Sequence, residues 1–287
     1  MSLPHQPNSS PRSWRYRAVR IFIVLAGCYL GIIVVLALFE NSMLFHPTTA
    51  AGEWLDRPDS RIVDIDLRTT RGDKIHAWWW PKEGADGAVL YCHGNAGNLS
   101  HRVYAMADWR KQVNHSVLIF DYPGFGRSEG TPDESGCYAA ADAAYEWLTA
   151  TGRVPTDRVL LYGCSLGGGV AVDLAARVPH RALVLLSTFT SVADRAQELF
   201  PWLPARWVVR NRFDNLGKIQ RCTRPVFIAH GDNDDVIPYA HGEKLAAVAN
   251  EPKCFLPLGP FGHHEDVDAR FFGRLKQFLS RSAAISR

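Results

Sequence analysis

The stretch of residues 160–172 constrains the fold of this chain more than any other part. It starts as a short apolar run typical of a buried strand, breaks at Gly163 and continues from Leu166 with the apolar spacing of a helix. At the break stands Gly163-Cys-Ser165-Leu-Gly167, a G-x-S-x-G motif. A turn this sharp leaves no room for side chains two positions on either side of the serine, and glycine removes that conflict. The stretch therefore predicts a strand–turn–helix unit that raises the Ser165 hydroxyl from the end of a sheet.

Around this unit, short apolar runs alternate with helical patterns. The runs that predict strands are 88–92, 116–120, 158–162, 182–186, 225–229 and 253–258. Continuous apolar strands separated by helices indicate a parallel sheet covered on both faces. Two earlier runs, 61–67 and 74–80, alternate in polarity around a turn and predict an antiparallel hairpin at the sheet edge. The expected fold class is α/β, with a mostly parallel eight-stranded sheet flanked by helices.

The length and charge of the chain limit how many domains it can form and which partners it can bind. With 287 residues, 47% of them hydrophobic, it can form one full-sized domain and an appendage. The net charge is only +3 and the basic residues are dispersed after residue 20, which argues against nucleic acid as a partner. Residues 1–20 are polar and basic and are predicted to be disordered. A connector at 40–60 then leads into a globular domain at 61–287.

The segment Ile21 to Phe39 contains neither charge nor proline. As a helix it would span about 28 Å, which is close to the thickness of a bilayer's hydrocarbon core. Arg15, Arg17 and Arg20 precede it, whereas Glu40 follows it, so we expect a single-pass anchor with a cytoplasmic N-terminus. The globular domain would then lie on the non-cytoplasmic side, and the Ala- and Arg-rich composition favours a bacterial inner membrane over a eukaryotic secretory one. A cleaved signal peptide is the alternative, but the apolar run is long and lacks an A-x-A cleavage site.

Small residues and cysteines suggest two further contacts. Gly27 and Gly31 are four positions apart in the apolar segment and could pair two copies of it into a weak homodimer. The six cysteines show no metal-ligand spacing. Cys222 and Cys254 precede strands expected to be neighbours, so the sequence leaves open whether these two residues form a disulfide.

Residues 189–222 interrupt the alternation of strands and helices. The segment is aromatic, contains two prolines, and lies between strands whose carboxyl ends should face the ligand-binding edge of the sheet. We interpret it as a small cap over an apolar pocket; the alternative is an excursion packed on the sheet.

A serine at such a turn becomes a nucleophile only with a base, and the base needs an acid that orients it. Asp232, Asp234 and Asp235 follow the run 225–229. Asp232 lies in the tight turn itself, and Asp235 should point outward if Asp234 points inward. The sequence therefore favours Asp234 as the acid.

The base should come from the loop after the last strand, where His263 and His264 are adjacent. Their side chains point in different directions, so only one of them can reach Ser165. The residues alone leave this choice open.

A second requirement is a pair of N–H groups that can stabilise an oxyanion. The Leu166 N–H lies at the start of the helix after Ser165. The loop His93-Gly-Asn-Ala-Gly-Asn98 follows the strand 88–92, and Gly94 allows a turn that aims the Asn95 N–H at Ser165.

Five motifs in this order resemble the α/β-hydrolase superfamily. They are His93-Gly-Asn-Ala-Gly-Asn98, Asp121-Tyr-Pro-Gly-Phe-Gly-Arg-Ser128, Gly163-Cys-Ser-Leu-Gly167, His230-Gly-x-x-Asp234-x-x-Ile-Pro238 and Gly262-His-His264-Glu-Asp266. The chain looks most similar to the membrane-anchored serine hydrolases of the α/β-hydrolase-domain-containing group, sometimes called serine aminopeptidase-like. The family's G-x-H-N-D ending matches residues 262–266, with Glu265 in place of asparagine. The resemblance therefore implies His264 as the base.

The resemblance also implies an activity. It predicts a serine hydrolase that cleaves an ester or thioester, with a lipid-like acyl group, through Ser165, His264 and Asp234 and an acyl-enzyme intermediate. Such chemistry needs no metal or organic cofactor. A serine peptidase, an acyltransferase and a catalytically silent membrane scaffold are the alternatives. A peptidase would need an acidic pocket for an amine, and a silent scaffold should have lost one of the motif residues, none of which is missing.

Overall fold

The computed structural model of the protein describes residues 11–263 and 267–285. The chain divides into two compact units, one up to Glu40 and one from Asn41 onward. The first unit is helix α1 (Pro11–Leu38), of which Trp14–Leu38 is long and apolar enough to cross a membrane. The predicted disorder of residues 1–20 is wrong from Pro11 onward, because proline is compatible with a first helical turn and neither glycine nor proline follows it before α1 becomes apolar.

The second unit contains the other described elements. Its strands are β1 (His46–Pro47), β2 (Val63–Arg68), β3 (Lys74–Trp80), β4 (Gly87–Cys92), β5 (Ala96–Gly97), β6 (His115–Phe120), β7 (Val159–Cys164), β8 (Ala182–Leu186), β9 (Val226–His230) and β10 (Lys253–Pro257). Its α-helices are α2 (Glu40–Leu44), α3 (Val103–Gln112), α4 (Glu134–Glu146), α5 (Leu166–Ala175), α6 (Val192–Leu199), α7 (Ala205–Val208), α8 (Asn215–Ile219), α9 (Ala240–Val248) and α10 (Ala269–Ile285). The first residue of α2, Glu40, is the last residue of the first unit.

Eight of these strands form one sheet in the order β10-β9-β8-β7-β4-β6-β3-β2. The strands from β10 to β6 are parallel, whereas β3 is antiparallel to β6 and β2 is antiparallel to β3. The prediction of a mostly parallel eight-stranded sheet with an antiparallel edge is confirmed.

The sheet is covered on both faces. Every residue of β4, β6, β7, β8 and β9 is buried, which explains why these strands are continuous apolar runs. Helices α4, α5, α8 and α9 pack on one face, and α3 and α10 pack on the other. Strand β7 lies near the middle of the sheet, so the loops that follow β4, β9 and β10 can converge on the turn after β7.

The segment predicted as a connector at 40–60 is part of the globular unit. Phe45 is buried in the core, and β1 pairs in parallel with β5 in the loop that follows β4. The side chain of Asn41 bonds to the backbone oxygen of Pro132 and to the side chain of Asn211. These contacts attach the first residues of the unit to the edge of the sheet where the loops converge.

The segment 189–222, predicted as a cap, forms α6, α7 and α8. The Ser191 hydroxyl caps the N-terminus of α6 by accepting a hydrogen bond from the Asp194 N–H at 2.9 Å. From α6, the Arg195 Nε donates to the Val236 carbonyl oxygen at 2.7 Å. The segment is thereby joined to the loop after β9.

Cys222 and Cys254 do not form a disulfide. Cys222 is buried and Cys254 is half-buried, and both are free thiols, as are the other four cysteines.

Candidate active site

Ser165 occupies the turn between β7 and α5 with a backbone φ of 53° and ψ of −120°. A positive φ is costly for a residue other than glycine and persists only where the surroundings hold it. The Ser165 N–H donates to Leu186 O at 3.0 Å, and its carbonyl oxygen accepts from the Thr188 hydroxyl at 2.8 Å. Strand β8 and the loop after it therefore fix the strained turn.

The two motif glycines are sterically required. A Cβ on Gly163 would overlap the carbonyl oxygen of Gly167, and a Cβ on Gly167 would overlap the carbonyl oxygen of Cys92. The close approach of α5 to β7 and β4 thus leaves no room for any other residue at either position.

A chain of hydrogen bonds joins Ser165 to a histidine and an aspartate. His263 Nε2 lies 2.9 Å from Ser165 Oγ, and His263 Nδ1 lies 2.8 Å from Asp234 Oδ2. The preference for His264 is corrected here, because a single imidazole fits between the serine and the aspartate and His263 occupies that place. His264 itself lies outside the described residues.

Asp234 is buried and closely held, whereas Asp232 and Asp235 are exposed. Its Oδ1 accepts hydrogen bonds from the N–H groups of Val236 at 3.0 Å and Ile237 at 2.7 Å. Burial alone would raise the pKa of Asp234, but hydrogen bonds from His230, His263 and Ile237 outweigh it and hold the pKa well below its usual range. The carboxylate is therefore ionised and oriented toward His263.

Asn95 and Leu166, the two residues assigned to the oxyanion, both lie near Ser165 in the structure. Leu166 is the first residue of α5, where backbone N–H groups have no partner within the helix. Asn95 lines the same cavity as Ser165, and its side-chain amide donates to the carbonyl oxygen of Leu44. The amide therefore holds the loop after β4 against the start of the unit, and leaves the backbone as the part of Asn95 that could serve an oxyanion.

The cavity beside Ser165 has a volume of about 560 Å³. The described residues that line it include Gly94, Arg102, Tyr104, Val236 and His263. None of these lining residues comes from the segment 189–222. That segment therefore does not form the predicted cap over the pocket. It contacts the edge of the cavity through the hydrogen bond from Arg195 to the lining residue Val236.

Relatives of this chain carry the same architecture. Residues 87–217 match the family described as alpha/beta hydrolase fold. The alpha/beta hydrolase domain-containing protein WAV2 of Arabidopsis thaliana is 31% identical over 277 residues, which are 86% of this chain and 88% of that protein. The alpha/beta hydrolase domain-containing protein 17B of Xenopus tropicalis is 33% identical over 231 residues, 80% of this chain and 79% of its own length. This chain belongs to the α/β-hydrolase family.

Other similarities of this α/β-hydrolase agree with that membership. An uncharacterized protein of Mycobacterium tuberculosis is 33% identical over 276 residues, 94% of this chain and 98% of its own. The solved esterase Pf2001 of Pyrococcus furiosus superposes with a TM-score of 0.65 at 20% identity, covering 83% of this chain and 97% of the esterase. That structural likeness shows the fold.

Two supporting residues of this α/β-hydrolase were not assigned a site role from the sequence. His93 Nδ1 donates to the Gly94 carbonyl oxygen at 2.7 Å, and the Tyr122 hydroxyl donates to the His93 carbonyl oxygen at 2.8 Å. Both side chains are buried. Together they fix the loop that carries Asn95. The signals for this in the sequence were the position of His93 directly before Gly94 and the presence of Tyr122 in the motif 121–128.

Proposed function

We propose that this chain is a membrane-anchored serine hydrolase that cleaves an ester or thioester bond of a lipid-like acyl substrate. The observation that carries the proposal is the hydrogen-bonded series Ser165–His263–Asp234, which opens into a cavity. A serine hydroxyl, an imidazole within reach of it, and a buried carboxylate on the far side of the ring are the components of nucleophilic acyl transfer.

The first half of the reaction acylates the serine. Ser165 Oγ attacks the acyl carbon while its proton passes to His263 Nε2. Asp234 accepts the hydrogen bond from His263 Nδ1 and stabilises the imidazolium that forms. The backbone N–H groups of Leu166 and Asn95 are the donors we assign to the oxyanion, and one such donor is typically worth about 3–4 kcal/mol.

The remaining steps complete the acylation of Ser165 and then release the acid. The tetrahedral intermediate collapses, and the leaving oxygen or sulfur takes the proton from His263, which leaves an acyl ester on Ser165. A water molecule then gives a proton to His263 Nε2 and attacks the acyl carbon. Breakdown of this second intermediate returns the proton to Ser165 Oγ and frees the carboxylic acid.

The lining of the cavity supports an acyl substrate rather than a peptide amine. Tyr104, Ala105 and Val236 supply apolar surface, and Arg102 and His101 supply polar groups. The described lining contains no acidic side chain that would bind an ammonium group.

The charges that flank α1 support a membrane placement. Arg15, Arg17 and Arg20 lie at the N-terminal end of α1 and Glu40 follows its C-terminal end. By the positive-inside rule, the N-terminus is cytoplasmic and the hydrolase domain lies across the membrane.

The test is labelling of the full-length protein in detergent with a fluorophosphonate probe, which reacts with activated serines. We expect the wild type and His264→Ala to label, and Ser165→Ala and His263→Ala not to label. Circular dichroism of each variant checks that it is folded. Loss of labelling in His264→Ala with retention in His263→Ala would overturn the assignment of the base, and a folded wild type that does not label would contradict the hydrolase proposal.

A further inference from the structure

Several large apolar side chains of the second unit are exposed to solvent. Trp207 is 91% exposed, Tyr104 is 78% exposed and Trp202 is 54% exposed, and Leu199, Met43 and Val236 are each about half exposed. We call these six residues the apolar rim. Large exposed apolar side chains are unfavourable in water, so a surface that carries several of them is a candidate for a surface that is covered in use.

The apolar rim borders the active-site cavity. Tyr104 and Val236 line the cavity together with Ser165. Helix α6, which ends at Leu199, is joined to Val236 by the 2.7 Å hydrogen bond from Arg195 Nε. The mouth of the cavity is therefore connected to the segment 189–222, which carries Leu199, Trp202 and Trp207.

The rim is also joined to the place where the chain enters the second unit. The Asn211 side-chain amide donates to Asn41 Oδ1 at 2.8 Å, which ties the segment after α7 to the first residue of the unit. Met43 follows two residues later, and Leu44 O accepts the hydrogen bond from the side chain of Asn95. The residues after α1 thus lie against both the rim and the loop that carries Asn95.

The covalent chain limits how far this region can be from a membrane. Three peptide steps separate Leu38, the last residue of α1, from Asn41. Three steps span at most about 11 Å even when fully extended. If α1 crosses a bilayer, Asn41 must lie within that distance of the point where the helix ends.

We propose that the apolar rim docks on the surface of the lipid bilayer that holds α1, so that the catalytic cavity receives amphiphilic substrate from that surface. Tryptophan and tyrosine fit this environment because their rings are apolar while their N–H and O–H groups remain hydrated at the level of the headgroups. The proposal rests on the membrane anchoring proposed above.

The test uses the full-length chain in phosphatidylcholine–phosphatidylglycerol vesicles, with and without bromine on the acyl chains. Bromine quenches only those tryptophans that enter the bilayer. The fraction of fluorescence that is quenched should fall in Trp202→Phe and in Trp207→Phe. It should stay level or rise in Trp147→Phe, because Trp147 is partly buried against the core and its ring packs on that of Trp79.

If Trp202→Phe and Trp207→Phe behave like Trp147→Phe, the docking proposal is wrong, and it is equally wrong if cross-linking shows that the rim is covered by a second copy. Protein that fails to float with the vesicles would instead contradict the membrane anchor.

A kinetic experiment then tests whether docking on the bilayer affects catalysis. In Trp202→Ser/Trp207→Ser we expect unchanged turnover of a water-soluble nitrophenyl ester and several-fold slower turnover of a long-chain ester held in vesicles. An equal loss on both esters would contradict docking. Absence of hydrolysis by the wild type would contradict the proposed activity and leave the fluorescence result to decide docking by itself.

Discussion

His230 and His263 share one oxygen atom of Asp234. The Oδ2 atom lies 3.3 Å from His230 Nε2 and 2.8 Å from His263 Nδ1. His230 Nε2 also donates to the Ile237 carbonyl oxygen at 2.8 Å, which fixes the proton on that nitrogen. The aspartate is thus held from one side by a fully buried histidine and presents its other side to the active site.

Replacement of His230 by phenylalanine should slow catalysis without a change in substrate binding. The variant removes a donor from Asp234 but keeps an aromatic ring, so we expect kcat to fall about 10-fold, the equivalent of about 1.4 kcal/mol, with KM near the wild-type value. The measurement is steady-state hydrolysis of a soluble nitrophenyl ester. His180→Phe is the matched control, because His180 is also buried and, among the described residues, its side chain bonds only to Val178 O, at 2.8 Å. Equal losses in both variants would show that His230 acts only through packing.

The pH dependence of stability should reveal the ionised state of Asp234. Because the folded protein lowers the pKa of Asp234, the carboxylate stabilises the fold at pH values above its unfolded pKa of about 3.9, and this contribution is lost as the pH falls below that value. We therefore expect Asp234→Asn to lower the Tm by several degrees at pH 7, which corresponds to about 1–3 kcal/mol, and the gap to narrow below about pH 4. The measurement is thermal unfolding of both proteins between pH 3 and pH 8. A gap that stays constant over this range would contradict the assignment.

Gly167→Ala should abolish activity and destabilise the protein. The added Cβ would overlap the backbone of Cys92 and force α5 away from the sheet, at a cost of about 1–3 kcal/mol. Gly273→Ala is the control, since Gly273 lies in α10 and a Cβ there would meet no atom within 4 Å. That control should be neutral or stabilising by up to about 1 kcal/mol. The comparison needs only chemical unfolding and an ester assay, and similar behaviour of the two variants would refute the steric argument.

Thiol labelling should separate the cysteines of the second unit. Burial raises the pKa of Cys222 to about 12, so this thiol should not react with iodoacetamide in the native protein at pH 8. Burial also raises the pKa of Cys254, but this thiol is only half-buried and should react, more slowly than a fully exposed thiol. Mass spectrometry of peptides from non-reduced samples would show modified Cys254 and, after unfolding, modified Cys222. A peptide pair linked through these two residues would contradict the structure.

The fold was predictable because its signals are local. Each buried parallel strand is a continuous apolar run, and the elbow at Ser165 requires two glycines for steric reasons that the motif shows directly. Asp234 could be chosen from its two neighbours because the alternation of side chains in a turn separates inward from outward positions. These features depend on a few adjacent residues and on rules that hold in any α/β sheet.

The other features of the candidate site depend on contacts between residues that are far apart in the sequence. Which of two adjacent histidines reaches Ser165 is decided by the backbone of the loop after β10, and the family spacing favoured the wrong one. The segment 189–222 contributes none of the described residues that line the cavity, and Arg195 and Asn211 join it to distant parts of the chain. The role of residues 41–47 likewise follows from long-range pairing with the loop after β4.

The backbone of Ser165 is held in a conformation that the residue would not adopt in a free peptide. Its restraints come from Leu186 and Thr188, which are far away in sequence and reach it only after the sheet has assembled. In an unfolded chain Ser165 has no such restraints, so it has the backbone freedom of any other serine. In the mechanism proposed above, the nucleophilicity of Ser165 therefore arises only once the sheet has assembled and the fold is complete.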